Sequence, residues 1–205
     1  MQGSASPMGI LHGRGGLLGL LMSFIILDRD GVINYDSDDY IKSPDEWQAI
    51  PGSLNAIAQL NRSGFRVLVV TNQSGVARGY YDLDILSLIH EKLMRELAAV
   101  GGYIDEIFFC LHHPDDACEC RKPKPGLLYE IEEKYPINLT ETFFIGDSIV
   151  DVHAAQSVGC TPILVLTGKG EKALKTYPEL AAISSFPDLS KAVEYVVSQQ
   201  RKNND

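Results

Sequence analysis

Short apolar runs recur along the chain with little polar alternation inside them. The clearest five cover residues 24–27, 67–70, 107–109, 143–145 and 163–166. Runs of this kind are typical of strands that are buried on both faces of a parallel sheet. The pattern therefore predicts a central parallel sheet that is covered on both sides.

The segments between these runs have the spacing of amphipathic helices. Apolar stripes recur in residues 54–60, 83–97, 127–131 and 149–155, and each stripe can pack against a sheet. The alternation of strands and helices predicts an α/β domain of three layers with right-handed crossovers. We expect one such domain over residues 22–205, because a chain of 205 residues is too short for two full-sized domains.

The first 21 residues do not follow this pattern. Leucine and isoleucine are frequent from Ile10 onward, but Arg14 and five glycines between Gly9 and Gly19 interrupt them. The uninterrupted apolar runs are too short to span a bilayer. We expect residues 1–21 to be a leader or a segment left by cloning, without ordered structure, and Met22 to be the natural start.

The charge of the chain limits the classes of partner. A formal net charge of -9 argues against general nucleic-acid binding, which needs a basic face to displace counterions from phosphates. A small phosphorylated substrate remains compatible, because a metal ion and a few local cations can reverse the potential at one site. We expect a monomer with neither a nucleic-acid nor a membrane partner.

Polar residues follow the apolar runs at the points where the predicted strands end. Asp28 and Asp30 follow the first run, Thr71 and Asn72 the second, and Asp147 the fourth. The carboxyl ends of parallel strands line one edge of the sheet, where ligands bind in folds of this kind. These side chains are therefore expected to meet in one crevice.

The two carboxylates after the first run indicate a metal ion. Residues two apart on an extended backbone face the same way, which turns Asp28 and Asp30 into the crevice and Arg29 elsewhere. Two close carboxylates repel each other unless a cation lies between them, and Mg²⁺ is the simplest choice, with Asp147 completing the oxygen ligands. An isolated Asp-x-Asp is more often a turn or a helix cap, so this prediction depends on the residues that converge with it.

A second candidate metal site is a cluster of cysteines and histidines. Cys110, Cys118 and Cys120, with either His112 or His113, supply enough soft ligands for a closed tetrahedral Zn²⁺ site. Such a zinc ion has no open position, so its role would be structural. The alternative is a set of inert or redox-active thiols. Cysteines crowded into one loop are unlike a disulfide scaffold, and they fit a reducing, cytoplasmic compartment.

Four segments, taken together, resemble the motifs of a known family. Residues 28–31, 71–75, 121–123 and 146–147 are similar to the four motifs of the haloacid dehalogenase superfamily of phosphatases, and they occur in the same order. The resemblance covers residues 24–168. It implies a Rossmann-like three-layer fold with a central parallel sheet and a zinc-binding loop, and the sequence shows no large cap domain between the motifs.

The resemblance also implies roles for particular residues. Asp28 is similar to the nucleophile that forms an aspartyl-phosphate, and Asp30 to the acid that protonates the leaving oxygen and then activates water. Mg²⁺ would be bound by the side chains of Asp28 and Asp147 and by the main-chain carbonyl of Asp30. Thr71 would hold the phosphoryl group, and Lys122 would steady the phosphate and the nucleophile. The resemblance selects His112 as the fourth zinc ligand.

The resemblance also implies substrate contacts. They lie in the loop after Asp28, in and just after the second motif, in the third motif and directly after the fourth. These residues are Asp36, Asp39, Tyr40, Asn72, Gln73, Ser74, Arg78, Arg121 and Ser148. The plainer alternatives are an acidic surface loop at 36–40, a polar loop at 71–79 and a solvated basic turn at 121–122.

Within the superfamily, the cysteine loop narrows the resemblance to two zinc-containing branches. Residues 71–79 and 120–126 resemble the branch that removes the 7-phosphate of D-glycero-D-manno-heptose 1,7-bisphosphate in bacterial surface-glycan synthesis. The five residues between His112 and Cys118 are as few as in the branch that acts on histidinol phosphate. We expect the heptose bisphosphate to be the substrate and keep histidinol phosphate as the alternative.

Two hypotheses from other classes compete with a phosphatase. A phosphorylatable signalling switch would use the same strand-end carboxylates, but an acid two residues after the nucleophile favours rapid turnover over a lasting phosphoryl state. A zinc-stabilised binding module without catalysis would need a degenerate set of motifs, whereas every key residue is present here.

Overall fold

Six parallel strands form the centre of the molecule. The structure is a computed structural model that describes residues 23–204. The strands are β1 (Ser23–Leu27), β2 (Phe65–Asn72), β3 (Glu106–Cys110), β4 (Phe143–Gly146), β5 (Thr161–Val165) and β6 (Ser184–Phe186). Each of the five apolar runs in the sequence lies in or overlaps one of the first five strands, so the predicted parallel sheet is confirmed.

Helices follow the strands in the expected alternation. They are α1 (Ser53–Arg62), α2 (Leu83–Ala99), α3 (Gly126–Lys134), α4 (Ile149–Ser157), α5 (Gly170–Thr176) and α6 (Leu189–Asn204). The first four coincide with the apolar stripes in the sequence. The pattern analysis did not include α5, α6 or β6.

Both faces of the sheet are covered, as its unalternated strands require. Ile25 and Leu27 of β1 belong to one apolar cluster, with residues of α1, α2 and α6. Phe24 and Ile26 belong to a second cluster, with residues of α3 and α4. Alternate residues of one strand thus enter opposite cores, because successive side chains point to opposite faces of a strand.

The strand order places β1 at the point where the winding of the sheet reverses. The order is β3-β2-β1-β4-β5-β6, and all five strand pairs are parallel. From β1 the chain builds outward through β2 and β3, and then returns to place β4 on the other side. The crevice between the ends of β1 and β4 is therefore a topological switch point, where open α/β sheets bind their ligands.

The connections in the described part of the chain contain no inserted domain. The longest one after β1 covers residues 28–52 and has no strand or helix of its own. This agrees with the prediction of a fold without a large cap.

No helix among the described residues is long and apolar enough to cross a membrane. The segment 1–21, predicted to be a leader, and Met22 lie outside the described residues.

Candidate active site

Three buried carboxylates lie at the switch point. Asp28 directly follows β1, and its backbone N–H donates to Ile145 of β4 at 2.9 Å. Asp147 follows β4, and Asp151 lies in the first turn of α4. One oxygen atom from each of Asp28, Asp147 and Asp151 lies within 4.8 Å of the other two. The sheet topology thus brings together residues that are far apart in the sequence.

The electrostatics of these carboxylates favour a bound cation. Burial raises the pKa of Asp28 well above its ordinary value, and the Asp151 and Asp147 charges add to that rise. Burial and the Asp151 charge raise the pKa of Asp147 to about 7. A hard divalent cation with oxygen ligands would remove the cost of ionising the group. The donor set therefore fits Mg²⁺.

Lys122 is the one cation in direct contact with this group among the described residues. Its side chain is 2% exposed, and Nζ lies 2.9 Å from Asp28 Oδ1 and 2.6 Å from Asp151 Oδ1. Nζ also donates to the carbonyl of Val70 at 2.8 Å. Burial disfavours the charged ammonium, but Asp151 and Asp28 hold the pKa of Lys122 above its ordinary value. The ammonium therefore stays charged beside Asp28.

Asn72 fixes the backbone of Lys122. Its amide nitrogen donates to the Lys122 carbonyl at 3.2 Å, and its amide oxygen accepts from the Lys122 N–H at 3.1 Å. Both polar ends of the Asn72 side chain are thus engaged by Lys122, although the residue also lines the cavity described below. The sequence predicted Asn72 as a substrate contact, whereas its contacts here position the lysine.

Asp151 is a site residue that the sequence analysis missed. It accepts hydrogen bonds from the backbone and the hydroxyl of Ser148, which form a capping box at the start of α4. Ser148-x-x-Asp151 is the sequence signature of such a box. The spacing alone therefore indicated a helix cap. Only the sheet topology shows that the same carboxylate also meets Lys122.

Asp30 lies apart from the carboxylate trio and has its own set of donors. Arg29 forms a two-nitrogen ion pair with it, with Nε and Nη2 at 3.2 Å and 2.9 Å from Oδ1. Asn34 and Gln73 each donate an amide N–H to Asp30 at 2.8 Å. Burial opposes ionisation, but Arg29, Asn34 and Gln73 together lower the pKa of Asp30. Arg29 was expected to point elsewhere; its long side chain instead folds back onto Asp30.

These residues line a cavity of about 820 Å³. Its wall contains all four predicted catalytic residues, Asp147 and seven of the nine predicted substrate contacts. The seven are Asp36, Tyr40, Asn72, Gln73, Ser74, Arg121 and Ser148. Asp39 and Arg78 are not part of the wall. A turn closed by the Tyr40 N–H on the Ser37 carbonyl brings Asp38 to the wall instead of Asp39, and Arg78 lies 6.0 Å from the Tyr40 ring centroid.

The sequence analysis did not include the wall formed by the segment after β5. Lys169 and Lys172 line the cavity there. The Lys169 N–H donates to Asp147 Oδ2 at 2.7 Å, and its Nζ lies 2.7 Å from Asp36 Oδ2. The rule that ligands bind at strand ends would have pointed to this segment, because it follows β5 directly.

Two glycines allow the backbone of this wall to lie close to Asp147. Gly31 has φ of 80° and Gly168 has φ of 55°, which is the left-handed region that favours glycine. A Cβ atom on either residue would overlap the carboxylate of Asp147. The backbone of both loops therefore approaches Asp147 more closely than any other residue type would allow.

The cysteine loop gathers four possible zinc ligands. Cys120 Sγ lies 3.2 Å from Cys110 Sγ, 3.5 Å from Cys118 Sγ and 3.1 Å from His112 Nδ1. A tetrahedral zinc site with Zn–S bonds of about 2.3 Å has ligand atoms about 3.8 Å apart, and the distances in this cluster approach that value. All four cysteines of the chain are free thiols. The loop therefore fits Zn²⁺ better than a disulfide.

The structure selects between the two neighbouring histidines. His113 caps the short 3-10 helix Pro114–Asp116 and accepts the Asp115 N–H at its Nδ1. His112 alone joins the cysteine cluster. The loop ends at Arg121 and Lys122, so its conformation sets where these two cations enter the cavity.

Comparison with known proteins identifies the family. A family model described as HAD-hydrolase-like matches residues 119–192. A D-glycero-β-D-manno-heptose-1,7-bisphosphate 7-phosphatase of Pseudomonas aeruginosa is 54% identical over 169 residues, which are 82% of this chain and 94% of the relative. The chain belongs to the heptose-1,7-bisphosphate 7-phosphatase family. It is therefore a phosphatase of the haloacid dehalogenase type, as the motifs predicted.

Solved structures of heptose-bisphosphate phosphatases have the same fold. That of the Bordetella bronchiseptica D,D-heptose 1,7-bisphosphate phosphatase, complexed with magnesium and phosphate, is 47% identical with a TM-score of 0.84. The match covers 87% of this chain and 99% of that one. The Burkholderia thailandensis D,D-heptose 1,7-bisphosphate phosphatase is 41% identical with a TM-score of 0.69, covering 86% and 99%. The first of these structures contains magnesium, the same ion that the carboxylate cluster of this chain would suit.

Proposed function

We propose that the protein hydrolyses the 7-phosphate of D-glycero-β-D-manno-heptose 1,7-bisphosphate and releases the heptose 1-phosphate and inorganic phosphate. The observation that carries this proposal is the trio of buried carboxylates with Lys122 at the switch point of a chain that is 54% identical to a phosphatase of that name. The family name supplies the substrate. The site supplies a mechanism that suits a dianionic phosphate ester.

Asp28 is the nucleophile of the proposed reaction. One oxygen of Asp28 attacks the phosphorus, the new O–P bond forms, and the bond from phosphorus to the sugar oxygen breaks. Arg29, Asn34 and Gln73 favour the carboxylate form of Asp30 in the ligand-free site, but the negative phosphoryl group of a bound substrate favours the protonated form. Asp30, protonated in the complex, gives this proton to that oxygen as it leaves. In the second step Asp30 takes a proton from water, which attacks the phosphorus of the aspartyl-phosphate and frees Asp28.

The cations around Asp28 make this attack feasible. Asp28 and Asp147, with the main-chain carbonyl of Asp30, would hold Mg²⁺, which supplies positive charge between two groups that otherwise repel each other. Lys122 adds a fixed ammonium 2.9 Å from Asp28. The hydroxyl of Thr71 lies in the cavity wall where it can donate to a phosphoryl oxygen.

Arg121 is proposed to contact the substrate. Its Nη1 is buried and has no hydrogen-bond partner among the described residues, and the side chain lines the cavity. A buried donor without a partner costs about 1–3 kcal/mol. A phosphate or hydroxyl oxygen of the substrate would satisfy this donor. Lys169, Lys172 and Tyr40 line other parts of the same cavity and can face the sugar and its second phosphate.

The substrate is tested by phosphate release with Mg²⁺ from heptose 1,7-bisphosphate and from histidinol phosphate. We expect kcat/KM for the heptose bisphosphate to exceed that for histidinol phosphate by at least about a hundredfold, or roughly 3 kcal/mol of transition-state discrimination. A preference for histidinol phosphate would replace the proposed substrate and leave the phosphatase mechanism intact.

The roles of the two aspartates are tested by Asp28→Asn and Asp30→Asn. We expect no turnover from the first variant, because an amide is not a nucleophile for phosphorus. The second should lose about 10²- to 10⁴-fold in kcat, which is the usual contribution of general acid–base catalysis. The matched control is Asp45→Asn on the exposed part of the same loop. Full turnover by Asp28→Asn would refute the mechanism.

We also propose that the protein acts as a monomer in the cytoplasm. The free cysteines support a reducing compartment, because zinc binding needs thiolates that an oxidising compartment would convert to disulfides. Light scattering on the purified protein gives the oligomeric state. A dimer at micromolar concentration would contradict the first part of this proposal.

A further inference from the structure

The side chain of Gln73 is turned towards Asp30 and not towards open space in the cavity. Gln73 is 3% exposed, and its Nε2 donates to Asp30 Oδ2 and to Thr71 Oγ1, both at 2.8 Å. Its Oε1 accepts from the hydroxyl of Tyr81 at 2.7 Å. Every polar atom of the amide is therefore engaged by protein groups.

Tyr81 decides which way this amide faces. A flipped amide would place Oε1 against the carboxylate of Asp30 and leave the hydroxyl of Tyr81 without its acceptor. Tyr81 is held in turn, since it is 8% exposed and its ring packs against Gly75, where a Cβ atom would overlap the ring. The segment before α2 thus fixes a donor that points at Asp30.

Arg29, which pairs with both oxygens of Asp30, is held in place by His90 of α2. Arg29 is 1% exposed, and its Nη1 lies 3.0 Å from Nε2 of His90. An arginine has only donors, so Nε2 of His90 accepts, and its proton is on Nδ1. Burial and the Arg29 charge lower the pKa of His90 to about 3, which keeps the imidazole neutral. The His90 ring also packs against Phe109, at 5.7 Å between centroids.

We propose that Gln73 and Arg29 are positioning residues that aim the carboxyl group of Asp30 at the leaving oxygen, and that Tyr81 and His90 hold them in place. This inference rests on the proposed function, in which Asp30 gives its proton to the sugar oxygen as the O–P bond breaks. It replaces substrate binding as the role of Gln73. It also gives two residues outside the four motifs a part in proton transfer.

The test compares substrates that differ in their need for a proton. The oxygen of a sugar alcohol leaves poorly without protonation, whereas p-nitrophenolate leaves as a stable anion. We use kcat/KM because it reports steps up to phosphoryl transfer to Asp28 and excludes the later hydrolysis, in which Asp30 acts on both substrates alike.

Tyr81→Phe removes only the hydroxyl that orients Gln73. We expect kcat/KM for heptose 1,7-bisphosphate to fall about tenfold, a fraction of the full effect of general acid catalysis, and kcat/KM for p-nitrophenyl phosphate to fall less than about twofold. Gln73→Leu should give the same pattern with a larger loss on the sugar phosphate. The inhibition constant of inorganic phosphate should stay within about twofold in Tyr81→Phe, because the Tyr81 hydroxyl bonds Gln73, whereas Thr71 is the residue proposed to hold the phosphoryl group.

His90 is tested by a pair of variants that separates its acceptor from its bulk. His90→Gln keeps an acceptor for Arg29, so the ratio of the two kcat/KM values should stay close to that of the unchanged protein. His90→Leu has no acceptor and should lower the ratio about fivefold or more, in the direction expected for partial loss of the general acid. Tyr129→Phe, an exposed tyrosine on α3, is the control for loss of a hydroxyl elsewhere.

Two outcomes would overturn the inference. Equal losses on both substrates in Tyr81→Phe would show a general structural effect. A raised inhibition constant for phosphate with an unchanged substrate ratio would return Gln73 to substrate binding. If the protein rejects heptose bisphosphate but hydrolyses another sugar phosphate, the proposed function fails, and the same comparison made with that sugar phosphate still decides the roles of Gln73 and Arg29.

Discussion

At the scale of single residues, the site contains more buried negative charge than positive charge. Asp28, Asp147 and Asp151 face one buried ammonium, that of Lys122. When all four groups are ionised, two negative charges remain uncompensated. The protein therefore depends on Lys122 for stability as well as for chemistry, since burying unpaired charge is expensive.

Lys122→Met should destabilise the metal-free protein strongly. Removing one partner of a buried ion pair typically costs about 3–5 kcal/mol, because the remaining charges stay buried without compensation. We expect a loss of about 3 kcal/mol in urea denaturation near neutral pH, together with the loss of activity. The control is Lys134→Met, whose exposed ion pair with Glu106 should change stability by less than about 1 kcal/mol. Equal stability of the two variants would contradict this account of Lys122.

The sequence predicted the site residues that belong to motifs and missed those that act through contacts between elements. Asp28 and Asp147 directly follow strands and Thr71 lies at the end of β2, so strand ends revealed them. Asp151 has an ordinary sequence explanation as a helix cap, and Tyr81 and His90 lie beside an amphipathic stripe without any motif. Their contacts with Lys122, Gln73 and Arg29 depend on how α2 and α4 dock on the sheet.

Elements of the fold were predictable to the extent that they bury apolar surface. Strands β1 to β5 have apolar runs, whereas β6 consists of Ser184, Ser185 and Phe186, of which the two serines are exposed. A short edge strand has one neighbour and less surface to bury, so it carries no such run. Helix α5 has 7 residues, which is too short for a clear periodic stripe.

The loop from Cys110 to Lys122 is the element whose conformation we expect to depend on a metal ion. Between β3 and α3 it has only the short 3-10 helix Pro114–Asp116 as secondary structure. Burial and the neighbouring thiols raise the pKa of Cys120 to about 12, whereas hydrogen bonds outweigh burial and lower the pKa of Cys118. A bound Zn²⁺ would favour the thiolate forms of these cysteines and cross-link the loop. We therefore expect zinc to hold Arg121 and Lys122 at the cavity.

Cys118→Ser should remove the zinc and loosen this loop. We expect the zinc content to fall from about one ion per chain to a small fraction, proteolysis to begin within residues 111–121, and kcat/KM to fall at least about tenfold, because Arg121 and Lys122 lose their support. Metal analysis by mass spectrometry and limited proteolysis measure the first two effects.

The matched control for the zinc prediction is Cys160→Ala. Cys160 is buried in the apolar cluster on the α3 and α4 side of the sheet and lies outside the cysteine loop. This variant should keep its zinc and its resistance to proteolysis. Retention of zinc by Cys118→Ser would remove Cys118 from the ligand set.

The whole molecule should respond to magnesium in a way that depends on pH. The raised pKa of Asp147 contributes stability that is fully present below its unfolded value of about 3.8 and lost as the pH rises through about 7, and the raised pKa of Asp28 acts in the same direction. His90 acts in the opposite direction, because its lowered pKa contributes stability that is present above about 6.5 and lost as the pH falls through about 3. Magnesium compensates the carboxylates and leaves the effect of His90 unchanged.

The stabilisation by magnesium should therefore be larger at about pH 8 than at about pH 5. At a concentration about a hundredfold above Kd, binding contributes about 2.7 kcal/mol, or about 5–10 °C in Tm for a domain of this size. Differential scanning fluorimetry with and without Mg²⁺ at each pH isolates this increment from the contribution of His90. Asp147→Asn should abolish most of it, and an increment that is independent of pH would contradict the role of the carboxylates.

The cavity between β1 and β4 is lined by strand ends, by the loops that follow them and by the first turns of helices, and the described residues contain no inserted cap above it. Its walls meet where the backbones of Gly31 and Gly168 approach the carboxylate of Asp147. Sugar phosphate should therefore enter, and inorganic phosphate leave, by diffusion through an opening that no cap has to uncover. Crystals grown without ligand should for this reason take up phosphate by soaking, with their lattice undisturbed.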